Sequence, residues 1–386
     1  MNYFLLPKIN NNIDNIIIES NDVNIVYISI TLNNYLNNIK KQINEYQDNW
    51  DYIKKYTNPY EFIHTIVPNF KYSISKLKPL SRSFYKMIEI SNILSIFENY
   101  KNIKISTFHL AEGPGGFIEA TEFLRKNPED KYYGMTLLND DDVNVPGWRK
   151  SDTFLNNNKN VIIEKGSDET GDLLNIDNLK YCFNKYFNSI DVVTADGGFD
   201  FSVDFNQQEL LATKLLFAQV CFAIIMQKKN GHFILKIFDI FSKTTVDIIY
   251  LLSSLYNNVY IVKPHTSRLA NSEKYIVCKE FNGLSDKLLQ SIFTQFSKIN
   301  SISSISTIFD FDLDLYFINK IEEYNAIFGQ QQIENISGTL NLINCKNKND
   351  KIESLKKNNI NKCINWCEKN NISYNKCNSN TNIFMC

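Results

Sequence analysis

The sequence predicts an α/β fold, a mostly parallel sheet with helices on both faces and mainly helical extensions at either end. Three observations predict it. Short apolar runs of strand length alternate with longer segments of helical period through the middle of the chain. A glycine turn follows the first of these runs and opens a helix. At 44% hydrophobic and 13% aromatic content, the 386 residues can bury a large core.

The elements follow in order. Residues 103–110 form an apolar run that ends in Gly113-Pro114-Gly115-Gly116, and residues 116–125 are helical. Residues 132–137 and 161–165 are further strands, and residues 190–195 are a β-branched strand stopped by Asp196-Gly197-Gly198. A long helix with a broad apolar face spans residues 207–228, Asn230-Gly231 is a turn, and residues 232–237 are a strand. Residues 244–255 are helical, and residues 259–262 and 274–278 are strands. Strands separated by helices favour parallel pairing, with ligands beyond the carboxyl ends of the strands. The expected organisation is an N-terminal extension over 1–75, a catalytic domain over 76–283 and a C-terminal extension over 284–386.

The gross numbers exclude several classes. A net charge of −1 gives no global affinity for nucleic acid, so an RNA substrate would need a local basic surface. The start Met-Asn-Tyr-Phe-Leu-Leu-Pro has no basic, then apolar, leader pattern. The longest apolar run, residues 215–226, is broken by Gln219 and too short for a bilayer, so no membrane association is expected. Cys182, Cys221, Cys278, Cys345, Cys363, Cys367, Cys377 and Cys386 are scattered, which fits a reducing interior. Cys363 and Cys367 lie four apart with no matching pair or nearby histidine, so no metal is expected.

The turn Glu112-Gly113-Pro114-Gly115-Gly116-Phe117 lacks both the dinucleotide spacing and a phosphate-binding lysine. It suits either a tight strand–helix turn or close backbone approach to a ligand. Four ionisable residues stand out. Lys86 lies in a helix start with a serine cap, Asp196 follows a strand, Lys236 finishes an apolar strand, and Glu273 precedes one. A lysine ending an apolar strand is costly unless paired or functional. Structural ion pairs at the sheet rim are the alternative.

These segments carry a resemblance. Arg82-Ser83-Phe84-Tyr85-Lys86, the Glu112 turn, Tyr133-Gly134-Met135-Thr136-Leu137, Thr170-Gly171-Asp172 and Ala195-Asp196-Gly197-Gly198-Phe199 are joined by three more. Those are residues 231–239, Lys263-Pro264-His265-Thr266-Ser267-Arg268 and Ala270-Asn271-Ser272-Glu273-Lys274-Tyr275. In order and spacing the chain resembles the FtsJ-like ribose 2′-O-methyltransferases over about residues 80–280, and within them the cap-specific enzymes of eukaryotes and large DNA viruses. The resemblance implies a Rossmann-like class I methyltransferase fold, S-adenosylmethionine as cofactor, and capped RNA as partner, with other capping or transcription proteins as candidate companions. It implies a catalytic set of Lys86, Asp196, Lys236 and Glu273. Lys236 would orient and deprotonate the ribose hydroxyl. Burial and the like charge of Lys86 would favour its neutral amine, and the Asp196 carboxylate opposes it. Glu273 would pair with Lys86.

For the cofactor, the resemblance points to Glu112, Gly113, Pro114, Gly115, Gly116, Phe117, Asp172 and Asp196, with Asp172 reaching the adenine. The acid that many methyltransferases carry after the second strand is absent at Gly134-Met135-Thr136-Leu137. Asp140, Asp141 and Asp142 are expected to form a solvated loop. Arg82, Lys243 and Arg268 are the expected RNA contacts, in a basic rim that also includes Lys76, Lys78 and Lys263. The expected location is an intracellular, reducing compartment: host cytoplasm or virion for a viral protein, nucleus for a cellular one. Methylation of internal ribosomal or transfer RNA, or an inactive RNA-binding scaffold, are the alternative functions.

Overall fold

The structure is a computed structural model that describes residues 2–20, 26–139, 145, 147–198 and 208–376. Among these residues, eight strands form one sheet: β1 (Asn2–Leu5), β2 (Ser106–Leu110), β3 (Lys131–Met135), β4 (Val161–Ile163), β5 (Ile190–Ala195), β6 (Gln227–Ile237), β7 (Tyr256–Lys263) and β8 (Lys274–Phe281). The helices are α1 (Ile30–Ile43), α2 (Gln47–Thr57), α3 (Ser83–Ile93), α4 (Gly116–Arg125), α5 (Asp152–Asn157) and α6 (Ile176–Tyr186). They continue with α7 (Gln208–Leu211), α8 (Thr213–Met226), α9 (Lys243–Leu255), α10 (Asp286–Phe296), α11 (Leu315–Ile343) and α12 (Lys348–Lys369).

The strand order is β1-β7-β8-β6-β5-β2-β3-β4. From β4 through β3, β2 and β5 to β6 every pair is parallel, whereas β8 runs antiparallel to both β6 and β7. That reversal matters for the site. The start of β8 lies at the edge where the parallel strands end, so residues entering β8 meet residues leaving β5 and β6.

Strand alternation divides the core between the two faces. Phe108, Leu110, Val193, Ala195, Phe233 and Leu235 join one apolar cluster with α8 and α9. Val192, Ile234, Tyr275 and Val277 join a second with α3, α4 and α12. Side-chain oxygens cap several helices: Asn175 accepts from the Asp177 amide at α6, Ser242 from Thr245 at α9, and Asp314 from Phe317 at α11.

Both terminal regions pack on this body. β1 adds to the sheet by pairing antiparallel with β7, and the Phe4 ring stacks on Tyr324 of α11 at 4.7 Å. Thr57 of α2 bonds Thr339 of α11 at 2.7 Å.

Besides β1, which was not expected, and shifts in several strand bounds, three differences from the expected elements stand out. Asn230-Gly231 is not a turn but an irregular stretch within β6, with Asn230 at φ 67° and a register shift against β5. The long helix expected over 207–228 is two helices, α7 and α8, and ends at Met226. The serine cap expected before Lys86 is absent: Arg82 occupies that position without a side-chain cap bond, and the Ser81 and Ser83 hydroxyls bond each other.

Candidate active site

Four charged side chains arrive at one edge of the sheet from four elements: Lys86 on α3, Asp196 just after β5, Lys236 near the end of β6, and Glu273 just before β8. They form two pairs. Lys86 Nζ lies 2.7 Å from Glu273 Oε1 and 2.8 Å from Oε2. Lys236 Nζ donates to the Asp196 carbonyl at 2.6 Å and lies 3.4 Å from Asp196 Oδ1. Between 11% and 16% of each of these side chains is exposed, so each keeps a reachable tip on a largely desolvated stem. Burial opposes ionisation of Glu273, but the ammonium groups of Lys86 and then Lys236 outweigh it and hold the carboxyl well below its usual range.

Tyr275 joins the pairs. It is fully buried, sits opposite Lys236 in the β6–β8 register, and donates to Asp196 Oδ1 at 2.9 Å. Lys86 Nζ stands 6.0 Å from the centre of its ring. Ser267 Oγ donates to Glu273 Oε1 at 2.8 Å. Lys263 is buried beneath them, with Nζ on the Glu273 carbonyl at 2.7 Å and on the Asn271 carbonyl. It is therefore not part of an exposed basic rim. Burial, with Lys274 next to it, lowers the Lys263 ammonium to about 7.

The glycine turn lies beside this edge. Gly115 has φ 99° and ends directly in α4. A Cβ on Gly116 would come within 2.2 Å of both Ser81 Oγ and Ser83 Oγ, so the missing side chain lets the turn dock on the start of α3, one turn before Lys86. Glu112 is buried at the base of the turn. Its Oε1 accepts from Thr194, its Oε2 lies 3.4 Å from His109 Nδ1, and no hydrogen bond completes that second oxygen. Burial raises the Glu112 carboxyl above its usual value.

Phe117 packs inward against Tyr275, ring centres 5.9 Å apart. Asp172 is half-buried, with Oδ1 on the Leu174 amide at 2.8 Å. Its loop backs onto the end of β3, since Leu138 donates to the Thr170 carbonyl at 2.7 Å. Asp140, Asp141, Asp142 and Phe199 lie outside the described residues.

The expected RNA contacts are placed differently from one another. Arg268 grips Glu61 through Nη2 at 2.6 Å and Nε at 3.0 Å. Arg82 reaches Glu61 at 3.2 Å and the Thr266 carbonyl at 2.7 and 3.1 Å. Lys243 is paired with Asp247 at 2.9 Å and stands over the Tyr27 ring. Lys76 and Lys78 are exposed. Sequence reasoning missed Glu61, Glu89, Ser267 and Tyr275. Tyr275 had a usable signal, because β8 alternation puts it on the same face as Glu273. Glu61 had none, since its two arginine partners lie 21 and 207 residues away.

The mostly parallel α/β sheet thus sets a glycine turn, opening a helix, beside two converging lysine–carboxylate pairs. The FtsJ-like methyltransferase family matches residues 79–281, more than half of the chain, and the chain belongs to that family. Its relatives include cap-specific mRNA (nucleoside-2′-O-)-methyltransferase 1A of Caenorhabditis briggsae, 30% identical over 57% of this chain and 26% of that protein. The methyltransferase 1 enzymes of Mus musculus and Homo sapiens are 33% and 34% identical, over 55% and 49% of this chain and 26% and 23% of theirs. The chain thus spans about a quarter of these relatives. Among solved structures, a putative ribosomal RNA methyltransferase of Plasmodium falciparum is similar at 22% identity and a TM-score of 0.38, over 53% of this chain and 98% of that one.

Membership in this family carries S-adenosylmethionine as the methyl donor, and the residues present fit it. The turn packs closely on its own chain, since a Cβ on Gly113 would meet the Gly147 carbonyl at 2.4 Å and one on Gly115 the Trp148 ring at 3.1 Å, so the fit rests on the buried acid at its base. The incompletely bonded Glu112 Oε2 suits the ammonium of the donor's methionine end. Among the described residues no cluster of His, Cys, Asp or Glu is arranged to hold a metal ion, and no helix is long and apolar enough to cross a membrane.

Proposed function

We propose that this chain methylates the ribose 2′-hydroxyl of a cap-proximal nucleotide of mRNA. The observation that carries the reading is the meeting of two lysine–carboxylate pairs, joined by Tyr275, beside the glycine turn. When bound, S-adenosylmethionine supplies a methyl carbon activated by its sulfonium. Gly113, Gly115, Gly116 and Glu112 hold its methionine end, and Asp172 its adenine side. In its neutral amine form Lys236 orients the ribose hydroxyl and accepts its proton, while Asp196 fixes Lys236. Lys86 and Glu273 hold the far side of the ribose. Most of the acceleration comes from this placement, since bringing the reacting atoms to about 3–3.5 Å in line is the main demand of such a displacement.

A cavity supports the cap-proximal assignment. A narrow cleft at Lys236 and Gly197 shares Glu209 with a larger cavity of about 730 Å³ lined in part by residues 241–244. Tyr27, Phe309 and Phe311 line that cavity together with Glu19, Asp310, Asp312 and Lys243. Phe309 stacks on Phe311 at 4.7 Å and Lys243 stands over Tyr27, which leaves the exposed Phe311 ring beside these carboxylates to suit a positively charged purine. Arg82 and Arg268 act first as partners of Glu61.

The test is transfer of labelled methyl to short capped and uncapped RNAs of one sequence, followed by nuclease digestion to locate the label. Label is expected on capped RNA at a ribose near the cap. Phe311→Ala should raise KM for capped RNA about tenfold, the scale of one lost base–aromatic stack. Equal labelling of uncapped RNA at internal positions would overturn the cap assignment.

A further inference from the structure

We infer that Glu61, which lies outside the family match, is a positioning residue for methyl transfer: it bridges the helix that carries Lys86 and the loop that carries Glu273. The inference rests on the methyltransferase reading above. Glu61 begins a single 3-10 turn, Glu61–Ile63, and is fully buried. Four donors converge on its two oxygens. Arg268 supplies Nη2 at 2.6 Å and Nε at 3.0 Å, Arg82 supplies Nη1 at 3.2 Å, and Asn58 supplies Nδ2 at 2.6 Å.

The two arginines belong to different parts of the site. Arg82 sits one helical turn before Lys86 at the start of α3. Arg268 belongs to the loop of residues 264–273 that leads into β8 and ends at Glu273. A single carboxylate therefore ties together the supports of the Lys86–Glu273 pair. The loop is held nearby as well. Arg82 spends its other donors on the Thr266 carbonyl, and Glu89 accepts from the His265 and Thr266 amides at 2.8 and 3.1 Å. Ser267, between Thr266 and Arg268, passes the restraint to Glu273 Oε1 at 2.8 Å.

The charge of Glu61 is what the bridge needs. Two guanidinium groups face each other across it, and without its negative charge they would repel. Burial works against its ionisation, yet the Arg268 bonds and both guanidinium charges bring the carboxyl down to about 2. The glycine turn packs on Ser81 and Ser83, the neighbours of Arg82 in the chain, but among the described residues it shares no hydrogen bond with Glu61, Arg82 or Arg268. Loss of the bridge should therefore separate donor binding from transfer.

The experiment uses the full chain and its Glu61→Gln variant, with turnover expressed per S-adenosylmethionine-binding site so that unfolded protein does not count. The expected result is a kcat at least tenfold lower, with S-adenosylmethionine Kd within twofold of wild type and no tightening of RNA binding. Arg268→Lys, which keeps the charge but loses the two-point grip, should show the same pattern and serves if Glu61→Gln does not fold. An unchanged kcat per site overturns the inference. So does a parallel loss of donor affinity, which marks a merely structural role. So does tighter RNA binding at unchanged kcat, which marks arginines freed for phosphates. Absence of transfer by the wild-type chain on capped and uncapped RNA would instead count against the methyltransferase reading.

Discussion

The hydroxyl of Tyr275 and the ammonium of Lys236 share one oxygen of Asp196, the first at 2.9 Å and the second at 3.4 Å. The phenol is held as a donor, because burial and then the Asp196 charge push its ionisation well above the ordinary range. Its bond withdraws charge from the carboxylate and fixes the direction from which Asp196 meets Lys236.

Tyr275→Phe removes that donor and keeps the ring that packs on Phe117. A hydrogen bond to a charged group is worth about 1.5–3 kcal/mol. The expected result is a kcat lower by roughly tenfold or more on that scale, with thermal stability and S-adenosylmethionine affinity close to wild type. Steady-state kinetics with capped RNA, alongside calorimetric titration of the donor, checks this. Wild-type kcat in the variant would show that Asp196 is held well enough without it.

Lys236→Ala should abolish transfer and leave donor binding nearly intact. Its ammonium touches Asp196, whereas the glycine turn is built from Glu112, Thr194 and the start of α3. Single-turnover transfer of labelled methyl, with a separate binding titration, measures the two halves independently. Turnover equal to wild type would remove Lys236 from the reaction.

A pH dependence follows from Glu89. This carboxyl is buried at the loop before Glu273, and burial lifts it from an ordinary 4.5 to about 7, against bonds from Thr266. An acid with a raised folded-state value binds protons that the unfolded chain has already released. Its contribution to stability is therefore fully present below about pH 4.5 and is lost as pH rises through about 7. Glu89→Gln should lack this loss. Wild-type stability relative to the variant should fall by up to about 3 kcal/mol across that window in denaturant titrations. A difference that stays flat between pH 4.5 and 7 would show that Glu89 remains ionised when folded.

Much of the site was legible because its chemistry sits at positions the sheet dictates. Gly116–Arg125 and Ile190–Ala195 have the bounds that glycine placement and β-branched composition suggest. Asp196, Lys236 and Glu273 follow from strand ends. What was not legible depends on long-range partners. β1 is four residues at an edge, within an Asn- and Ile-rich stretch that offers no alternation to read. The serine pair before Lys86 has the composition of a helix cap, but tertiary contact with Gly116 gives those hydroxyls a different place. Arg82 and Arg268 look like phosphate ligands until Glu61 is brought beside them. Lys263 looks like a surface lysine until β1 pairs along its strand and its amine turns onto the Asn271 and Glu273 carbonyls.

The irregular stretch at Asn230 bears on how chain length can vary around a fixed chemistry. Between the pairs Ile190–Gln227 and Val192–His232, one strand advances two residues and the other five. The surplus lies upstream of the regular register that aims Lys236 at the edge. Gain or loss of a residue there can be taken up as slack, whereas the same change between residues 232 and 236 would turn the lysine to the opposite face of the sheet. Length polymorphism among natural variants should accordingly gather at the first position and be absent from the second.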